Sequence, residues 1–338
     1  MSLGAVTRCA ACFDAGGFIR NVTVMKNLHI RDAGGQWIHH MRLGQWEQAW
    51  QVSDVMLELG RFRHPWLPRH QQALWNGQSP RGKRVLVHCY HGLGDTIQFV
   101  RFAAALHDIA ATVSVWAQPK LLPLLRTVGG IDFLLPLHDG DPQVQRDVDI
   151  ELMELPHALR VTLDTLPRRV PYIHVAELAR IADDPRPRIG IVSQSGTWDP
   201  RRSVPPALME SLTSRRDVAW KALQRGPALA ACSNDRVEIP RIASILDEAA
   251  ELRALDLLIT VDTLSAHLAG ALGVRTWTLL PAEADWRWMQ DREDSPWYPT
   301  MRLFRQPRAG DWPAVIERLG AELEVFVRRN GVCCDLPS

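Results

Sequence analysis

The sequence predicts an α/β fold of two domains, each built on a parallel sheet, with a helical appendage before them. From residue 85 onwards, short apolar runs alternate with amphipathic segments, which is the order of βαβ units in Rossmann-like domains. A stretch rich in aspartate and proline at residues 183–187 divides this alternation into two series and is a candidate hinge. We therefore expect three regions: the appendage and linker at 1–80, a first α/β domain at 81–184 and a second at 185–330.

The appendage is predicted to hold one helix-turn-helix unit at residues 37–59, similar to a single tetratricopeptide-like repeat. Large apolar side chains recur there at helical spacing on either side of a break at Leu43-Gly44: Trp37, Met41, Trp46 and Trp50. One such unit cannot bury its own apolar face, so we expect it to pack on the body of the protein or on a protein partner. Residues 61–82 contain three prolines and two glycines and are predicted to be a connector.

In both domains, strands are predicted at the apolar runs and helices at the amphipathic segments. The predicted strands are at residues 85–89, 112–117, 133–137, 189–192, 218–223, 257–261 and 276–280. The predicted helices are at residues 96–107, 119–128, 205–213, 243–255, 264–272 and 312–327.

The composition is that of a globular protein, with 46% hydrophobic and 23% charged residues in a chain of 338. The net charge of +1 gives no indication of binding to nucleic acid. No apolar stretch reaches the roughly 20 residues that span a bilayer, and the N-terminus lacks the pattern of a signal peptide. We expect a cytoplasmic protein, free in solution or at the periphery of the inner membrane.

Two patterns raise the question of a bound metal, and we expect none. Cys9, Cys12, Cys333 and Cys334 offer four thiolates for zinc, but adjacent cysteines are awkward tetrahedral ligands, and free thiols are favoured. Asp139-Gly140-Asp141 matches the D-x-D pattern by which some sugar transferases hold a divalent cation, and also an ordinary turn. No buried strand of the metal-site type precedes it, so we favour the turn and expect no metal or other cofactor.

The first candidate site is the turn Gly92-Leu93-Gly94-Asp95, which follows an apolar run and opens an amphipathic segment. A dinucleotide-binding turn of the form G-x-G-x-x-G has its third glycine at the position occupied here by Ile97. The charge of Asp95 would also compete with a phosphate for the amide N–H groups at the helix start. The turn is therefore predicted to present an acid rather than to bind phosphate.

Two compatible roles are open for Asp95. With Gln98 three residues on, it matches a capping box for the following helix. An acid at a helix start can cap and still accept a proton, so Asp95 is also the candidate general base, with His91 as the alternative. The neighbouring turn residues are expected to lie on the acceptor side: Gly92, Gly94, Thr96 and Gln98.

The second candidate site is the start of the helix predicted at residues 264–272. The hydroxyls of Thr263 and Ser265 and the N–H groups of this first turn indicate binding of a nucleotide diphosphate. Asp262 opposes a phosphate unless it caps the helix or binds a hydroxyl, and both roles are open. His267 lies at the edge of the apolar stripe, where a histidine is either a core residue or a ligand contact.

Two loops of the second domain are further candidates for the donor site. Arg201 and Arg202 precede Ser203 near a predicted helix start, where they would neutralise a leaving diphosphate or form a solvated surface pair. The loop after the last predicted strand is dense in aromatic and charged groups and includes Asp285 and Trp286. Loops at the carboxyl ends of parallel strands are where α/β folds bind ligands.

These motifs resemble those of the bacterial heptosyltransferase family of glycosyltransferases, in particular members that carry tetratricopeptide-like repeats ahead of the catalytic region. The similarity spans residues 74–319. The segments that carry it are residues 92–99, 202–205, 261–263, 267–270 and 285–288.

The resemblance implies a GT-B fold, in which two Rossmann-like domains face each other across a cleft, with no obligatory metal and a terminal helix that crosses back to the first domain. It also implies an inverting transfer in which Asp95 deprotonates the acceptor hydroxyl. The residues that would line the diphosphate and nucleotide are Asp262, Thr263, Leu264, Ser265 and His267. Arg201 or Arg202 would neutralise the leaving group. Heptosyltransferases often have lysine where this chain has arginine, and glycine where it has Leu264.

We therefore expect a metal-independent inverting glycosyltransferase that transfers a hexosyl or heptosyl group from a nucleotide-diphosphate sugar. The first domain would bind a glycan, lipid or protein acceptor, and the second would bind the donor. Two alternatives stay open. A sugar-nucleotide epimerase of the same architecture would convert the nucleotide sugar with no acceptor, and a non-catalytic module would recruit a protein partner through the helical unit at residues 37–59.

Overall fold

The computed structural model describes residues 32–59, 68–176, 184–196, 199–226, 229 and 235–330. The chain forms two compact units. The first holds the described residues up to Arg168 together with Asp285–Asp291, and the second holds the described residues of Arg169–Ala284 and those from Arg292 onwards. The units therefore divide before the hinge predicted at 183–187. Four cysteines considered as zinc ligands lie outside the described residues: Cys9, Cys12, Cys333 and Cys334.

The first unit is built on a four-stranded parallel sheet with the strand order β3-β2-β1-β4. The strands are β1 (Arg84–His88), β2 (Thr112–Ala117), β3 (Phe133–Pro136) and β4 (Val148–Glu151). The helices are α1 (Ala33–Arg42), α2 (Trp46–Glu58), α3 (Leu93–Phe99), α4 (Phe102–His107), α5 (Leu122–Leu125) and α6 (Leu155–Ala158). The sequence prediction misses β4, because Asp149 and Glu151 interrupt its apolar residues.

Two predicted helices of the first unit are divided. The segment predicted as one helix at 96–107 forms α3 and α4, and the buried Arg101 side chain donates to the last turn of α3 where that helix ends. The segment predicted at 119–128 is a 3₁₀ turn at Pro119–Leu121 followed by α5. Pro123 explains this break, because it lacks the N–H that a continuous helix requires.

The predicted helix-turn-helix unit is confirmed as α1 and α2, and Gly44 turns the chain between them in the left-handed region (φ +74°). Trp50 donates from Nε1 to the carbonyl oxygen of Val161 at 2.7 Å. The buried Asp54 carboxylate lies 2.8 Å from His157 Nε2. The apolar face of the pair therefore packs within the first unit, which is one of the two arrangements that the sequence allows.

The second unit is built on a six-stranded parallel sheet in the order β10-β9-β8-β5-β6-β7. The strands are β5 (Arg188–Val192), β6 (Ala219–Ala222), β7 (Val237–Glu238), β8 (Leu257–Val261), β9 (Thr276–Leu280) and β10 (Met301–Arg305). The helices are α7 (Pro206–Thr213), α8 (Ile245–Arg253), α9 (Leu264–Leu272) and α10 (Trp312–Asn330). The prediction misses both edge strands, because β7 is very short and two arginines interrupt the apolar residues of β10.

The terminal helix α10 is confirmed and belongs to the second unit. The apolar residues predicted to share one face are all buried in the core of that unit: Trp312, Val315, Ile316, Leu319, Leu323, Phe326 and Val327. The resemblance to heptosyltransferases implies a helix that crosses back to the first domain, whereas here the apolar stripe packs on α7 and β10. None of the described helices is long and apolar enough to cross a membrane.

Candidate functional site

The glycine turn places Asp95 in the first turn of α3. Gly92 is the N-cap, and Asp95 is the third helical residue, with Oδ2 accepting the Gly92 N–H at 3.0 Å. The predicted capping box, with Asp95 as N-cap and Gln98 as its partner, is therefore wrong. Gly92 takes the extended N-cap conformation, so the helix begins at Leu93, and Asp95 becomes the acid that reaches back to the N-cap.

The rest of the turn is anchored to the end of β2. Thr96 donates from Oγ1 to Gln118 Oε1 at 3.0 Å, and Gln118 donates from Nε2 to the carbonyl oxygen of His91 at 2.8 Å. Gln98 is fully buried, and its side-chain amide makes no hydrogen bond to the described residues. Four residues were expected on the acceptor side, and of these Gly92 is exposed, Gly94 is half-buried, and Thr96 and Gln98 are buried. Backbone at the two glycines is therefore more open to a ligand than either side chain.

A guanidinium that the sequence prediction missed contacts Asp95. Arg287 Nη2 lies 2.5 Å from Asp95 Oδ1, and Arg287 Nη1 lies 2.8 Å from Asp285 Oδ1. The Arg287 side chain is only 9% exposed, whereas that of Asp95 is 25% exposed. The aspartate thus presents a carboxylate to solvent from a site whose positive charge is buried.

Asp285 and Trp286 lie in the first unit, not in the second domain where the sequence prediction places them. They start a 3₁₀ turn at Trp286–Trp288. Trp286 packs edge-on against Trp37 of α1, with ring centroids 5.2 Å apart, and also contacts Phe99 of α3 at 6.2 Å. These apolar contacts join the segment to the first unit. Trp286 is buried, so its place is in a core rather than on an open ligand surface.

His91 lies beside a buried carboxyl group, with Nε2 3.6 Å from Glu151 Oε2. Burial lowers the pKa of His91 below its usual value, against the opposing effect of the Asp95 charge. The imidazole is therefore neutral at pH 7, and a neutral imidazole can accept a proton.

Two glutamates at the end of β4 also belong to this region, and the sequence prediction missed them with that strand. Burial raises the pKa of Glu151 to about 8, although the N–H groups of Met153 (2.7 Å) and Tyr90 (3.3 Å) donate to it. Burial raises the pKa of Glu154 to about 8 as well, and its Oε2 accepts the N–H of Trp75 at 2.9 Å. Burial thus favours the protonated form of both carboxyl groups.

In the second unit, the N-cap of α9 is Thr263 and not Asp262. The Thr263 hydroxyl donates to the carbonyl oxygen of Val261 at 3.2 Å. Asp262 Oδ2 lies 3.4 Å from Arg202 Nη1, and Asp262 Oδ1 lies 3.7 Å from His267 Nε2. The N-cap role that the sequence left open for Asp262 is therefore wrong, because Thr263 is the N-cap and the Asp262 carboxylate pairs with the Arg202 guanidinium. That pairing also offsets the negative charge which the sequence set against a phosphate.

The other predicted residues at this helix start are largely engaged within the unit. Ser265 is buried and donates to Glu248 Oε1 at 2.6 Å, while Arg225 pairs with the other oxygen of Glu248. His267 is buried, and its Nδ1 lies 3.0 Å from the Tyr298 hydroxyl. Leu264 and Thr263 are half-buried. The surface at the start of α9 is thus formed by backbone, Thr263 and Leu264.

The two arginines differ in their surroundings. Arg201 is 55% exposed and pairs with Asp199, whose carboxylate lies 2.9 Å away. Arg202 is 19% exposed and donates from Nη1 to the backbone oxygen of Asp262 at 3.1 Å. Ser203 accepts the N–H of Ser195 at 3.0 Å and so closes the loop that carries both arginines. Arg202 is therefore the arginine fixed at the start of α9.

Within the described residues, no group of three or more His, Cys, Asp or Glu side chains is arranged to hold a metal ion. In the D-x-D segment, the Asp139 backbone oxygen accepts from Arg69 at 2.5 Å, and the Asp141 carboxylate lies 2.8 Å from Arg146. The segment between β3 and β4 is thus tied down by arginines.

No family model matches the chain. A curated relative, the protein FlbA of Caulobacter vibrioides, is 25% identical over an alignment of 332 residues that covers 85% of this chain and 54% of the relative. The chain thus spans about half the length of that relative.

Solved structures share the architecture. The ADP-heptose LPS heptosyltransferase II of E. coli aligns with a TM-score of 0.50 at 12% identity and covers 73% of this chain and 99% of that chain. A family 9 glycosyl transferase from Veillonella parvula aligns with a TM-score of 0.46 at 14% identity, over 73% of this chain and 90% of the other. At such identity the likeness concerns the fold, and the α/β fold of GT-B type predicted from the sequence is confirmed.

Proposed function

We propose that the chain is an inverting glycosyltransferase that moves a sugar from a nucleotide-diphosphate donor to an acceptor hydroxyl, with Asp95 as general base. The observation that carries the proposal is the Asp95 carboxylate, which is 25% exposed and contacted on both oxygens, by Arg287 and by the Gly92 N–H. Proton abstraction from a hydroxyl needs a carboxylate that is both fixed and reachable. A fold shared with glycosyltransferases supports the same reading.

In the proposed reaction, the acceptor oxygen attacks the anomeric carbon of the donor while Asp95 takes the proton of the acceptor hydroxyl. The bond between that carbon and the phosphate oxygen breaks, and the nucleoside diphosphate leaves with the electron pair. Attack opposite the leaving group inverts the anomeric configuration. His91 is the alternative base, because its buried imidazole is neutral at pH 7.

We place the donor diphosphate at the start of α9 in the second unit. The first N–H groups of a helix have no partner within it and favour an anion. Arg202 offsets the charge of Asp262, so the diphosphate meets no uncompensated carboxylate there. Arg201 is a second, more exposed cation for the leaving group. Ser265 and His267 would support the site from within, through Glu248 and Tyr298.

The substrates, location and partners are proposed more coarsely. The E. coli heptosyltransferase II is described as an ADP-heptose enzyme, so ADP-heptose is the first donor to test here. The acceptor is a glycan, a lipid or a protein, and the reaction is proposed to need no metal. We place the protein in the cytoplasm, free or at the periphery of the inner membrane, on the sequence alone. Any protein partner of the helical unit would use the solvent face of α1 and α2.

Binding and turnover with a donor panel test the proposal. Calorimetry with ADP, UDP and GDP should find one diphosphate that binds. Its sugar derivatives, beginning with ADP-heptose, should then release diphosphate faster when glycan, lipid or protein fractions are supplied as acceptors. An epimerase would instead isomerise the sugar with no acceptor present. Absence of binding by every diphosphate would favour a non-catalytic module, and either result contradicts the proposal.

The donor site is tested with a matched set of arginine variants. Arg202→Gln should weaken binding of that diphosphate by about tenfold or more, because it removes a cation from the proposed site and from its pair with Asp262. Arg201→Gln should have a smaller effect, because Arg201 is exposed and already paired with Asp199. Arg215→Gln, which removes an arginine from a pair with Asp217 elsewhere in the unit, is the control. Equal affinities of the Arg202 and Arg215 variants would move the diphosphate away from α9.

A further inference from the structure

One guanidinium in the first unit, that of Arg287, contacts two carboxylates, and these contacts are not solvent-exposed surface ion pairs. Arg287 lies 2.5 Å from Asp95 and 2.8 Å from Asp285. Its two terminal nitrogens are divided between them, Nη2 to Asp95 and Nη1 to Asp285. A guanidinium suits this task, because its planar fork can serve two carboxylates at fixed angles.

The ion pair is shielded by aromatic rings. The Arg287 guanidinium lies 5.5 Å from the ring centroid of Phe99 and 5.0 Å from that of Trp286. Its side chain is only 9% exposed. Charges interact more strongly where water is excluded, so this contact constrains Asp95 more than an exposed salt bridge would.

The segment that carries Arg287 is itself fixed by its own cap and by α1. The Asp285 carboxylate accepts the Arg287 N–H at 3.0 Å, and the Gln290 N–H donates to the carbonyl oxygen of Arg42 at 3.1 Å. Met289 and Asp291 both have φ of +51°, in the left-handed region that such side chains rarely adopt. A backbone held in this conformation by its surroundings is common where a side chain must be aimed.

The charges explain why a base can be paired with an arginine and still work. Before reaction, Asp95 and Asp285 carry two negative charges and Arg287 carries one positive charge. When Asp95 takes a proton, the group becomes neutral, because Asp285 still balances Arg287. Without Asp285, the same proton uptake would leave these side chains with a net positive charge where Arg287 is only 9% exposed, which is costly. Asp285 thus supplies the charge that makes proton uptake by Asp95 tolerable.

On the basis of the proposed function, we infer that Arg287 and Asp285 are positioning residues for Asp95: Arg287 orients the carboxylate, and Asp285 compensates Arg287 once Asp95 is protonated. Arg287 donates to Asp95 at Oδ1. The other oxygen, Asp95 Oδ2, accepts only one N–H in the turn, from Gly92. A carboxylate oxygen has two lone-pair sites, so Oδ2 retains one for the acceptor proton.

The test measures diphosphate release from the donor that the panel identifies, across pH, for Arg287→Gln, Arg287→Lys and Asp285→Asn. We expect Arg287→Gln to lower kcat by about tenfold to a hundredfold with little change in the KM of the donor, because misplacement of a reacting group costs this much. Arg287→Lys should recover part of the loss. Arg292→Gln is the control, since it removes an arginine from a pair with the exposed Asp294.

The pH profile separates positioning from a merely structural role. Removing the positive charge of Arg287 beside the Asp95 carboxylate should move the acidic limb of kcat/KM to higher pH in Arg287→Gln. Removing the negative charge of Asp285 should move the same limb to lower pH. Shifts of opposite sign support the inference. If the wild-type chain is active and both variants keep its pH profile, the inference is overturned. If the wild-type chain turns over no donor, the proposed function is overturned, and the inference with it.

Discussion

At the residue scale, the acids of the first unit have different surroundings. Asp95 is partly exposed and is paired with Arg287. Glu151 and Glu154 are buried without an arginine among their hydrogen-bond partners, and burial raises the pKa of each to about 8. A carboxyl group that is hard to ionise when buried makes the stability of the fold depend on pH.

The contribution of Glu154 to stability should therefore fall as pH rises through the neutral range. Between the usual glutamate pKa and about 8, the unfolded chain has lost the Glu154 proton while the folded chain retains it, so each rise in pH favours unfolding. Glu154→Gln removes this titration and keeps an oxygen that can accept the N–H of Trp75. From about pH 5.5 to about pH 8, the free energy of unfolding should fall by roughly 2 kcal/mol less in this variant than in the wild type.

Urea titrations at the two pH values check this difference. Comparison between pH values within one variant cancels any constant cost of the amide. Glu47→Gln, at an exposed position of α2, is the matched control and should leave the pH dependence as in the wild type. Equal pH dependence in Glu154→Gln and the wild type would mean that Glu154 is ionised in the folded protein.

Residues of the site could be predicted where a local pattern marks them. Asp95 and Thr263 lie at the start of a helix that follows a buried strand, and the strand-turn-helix order locates both. Arg287 could not be found in this way, because it meets Asp95 across 192 positions of the chain. Glu248 was missed for a similar reason, since it lies inside a helix and reaches Ser265 of the next one.

At the element scale, the helical pair α1 and α2 supports the segment at residues 285–291. Trp37 of α1 packs on Trp286, and the Gln290 N–H binds the end of α1. Gly44, between the two helices, lies where an added Cβ would come within 2.6 Å of the terminal methyl of Met289. The appendage thus takes part in holding Arg287, in addition to any role with a partner.

Gly44→Ala should disturb this support. The φ of +74° already penalises alanine by about 1 kcal/mol, and the new methyl would also displace Met289 and the nearby Leu163 side chain. We expect a loss of about 2 kcal/mol in the free energy of unfolding and a lower kcat, because the Arg287 segment shifts. Urea titration and diphosphate release measure the two effects.

Gly82→Ala is the matched control, because Gly82 has a similar φ of +67° and open space around it. It should lose only the backbone contribution and keep its turnover. If both alanine variants lose the same stability and both keep full turnover, the helical pair α1 and α2 does not position the segment at residues 285–291.

Elements could be predicted where both faces of a strand are buried. β1, β5, β8 and β9 are buried along almost their whole length, and the sequence locates them closely. Strands missed by the prediction lie at the edges of the sheets, where β4 and β10 carry charged residues among the apolar ones. The hydrophobic pattern of a sequence reflects burial, so an edge strand that is partly exposed to solvent is harder to recognise from it.

At the scale of the whole molecule, the two-unit α/β architecture follows from the two series of βαβ units. The division of the chain between the units does not follow from this order, because residues 285–291 belong to the first unit although the residues on both sides of them belong to the second. A prediction from the sequence assigns consecutive residues to one domain, so such an excursion is invisible to it. This segment nevertheless carries the guanidinium that contacts Asp95.

The central claim is that Asp95 removes the acceptor proton, and Asp95→Asn tests it most directly. Asparagine keeps the size and the hydrogen-bonding oxygen of the side chain but cannot take the proton. His91→Gln, measured in parallel, reports on the alternative base. We expect kcat of Asp95→Asn to fall by roughly 10² to 10⁴, with diphosphate affinity in the second unit unchanged. Near wild-type turnover in Asp95→Asn would contradict the account, most plainly if His91→Gln is the variant that loses activity.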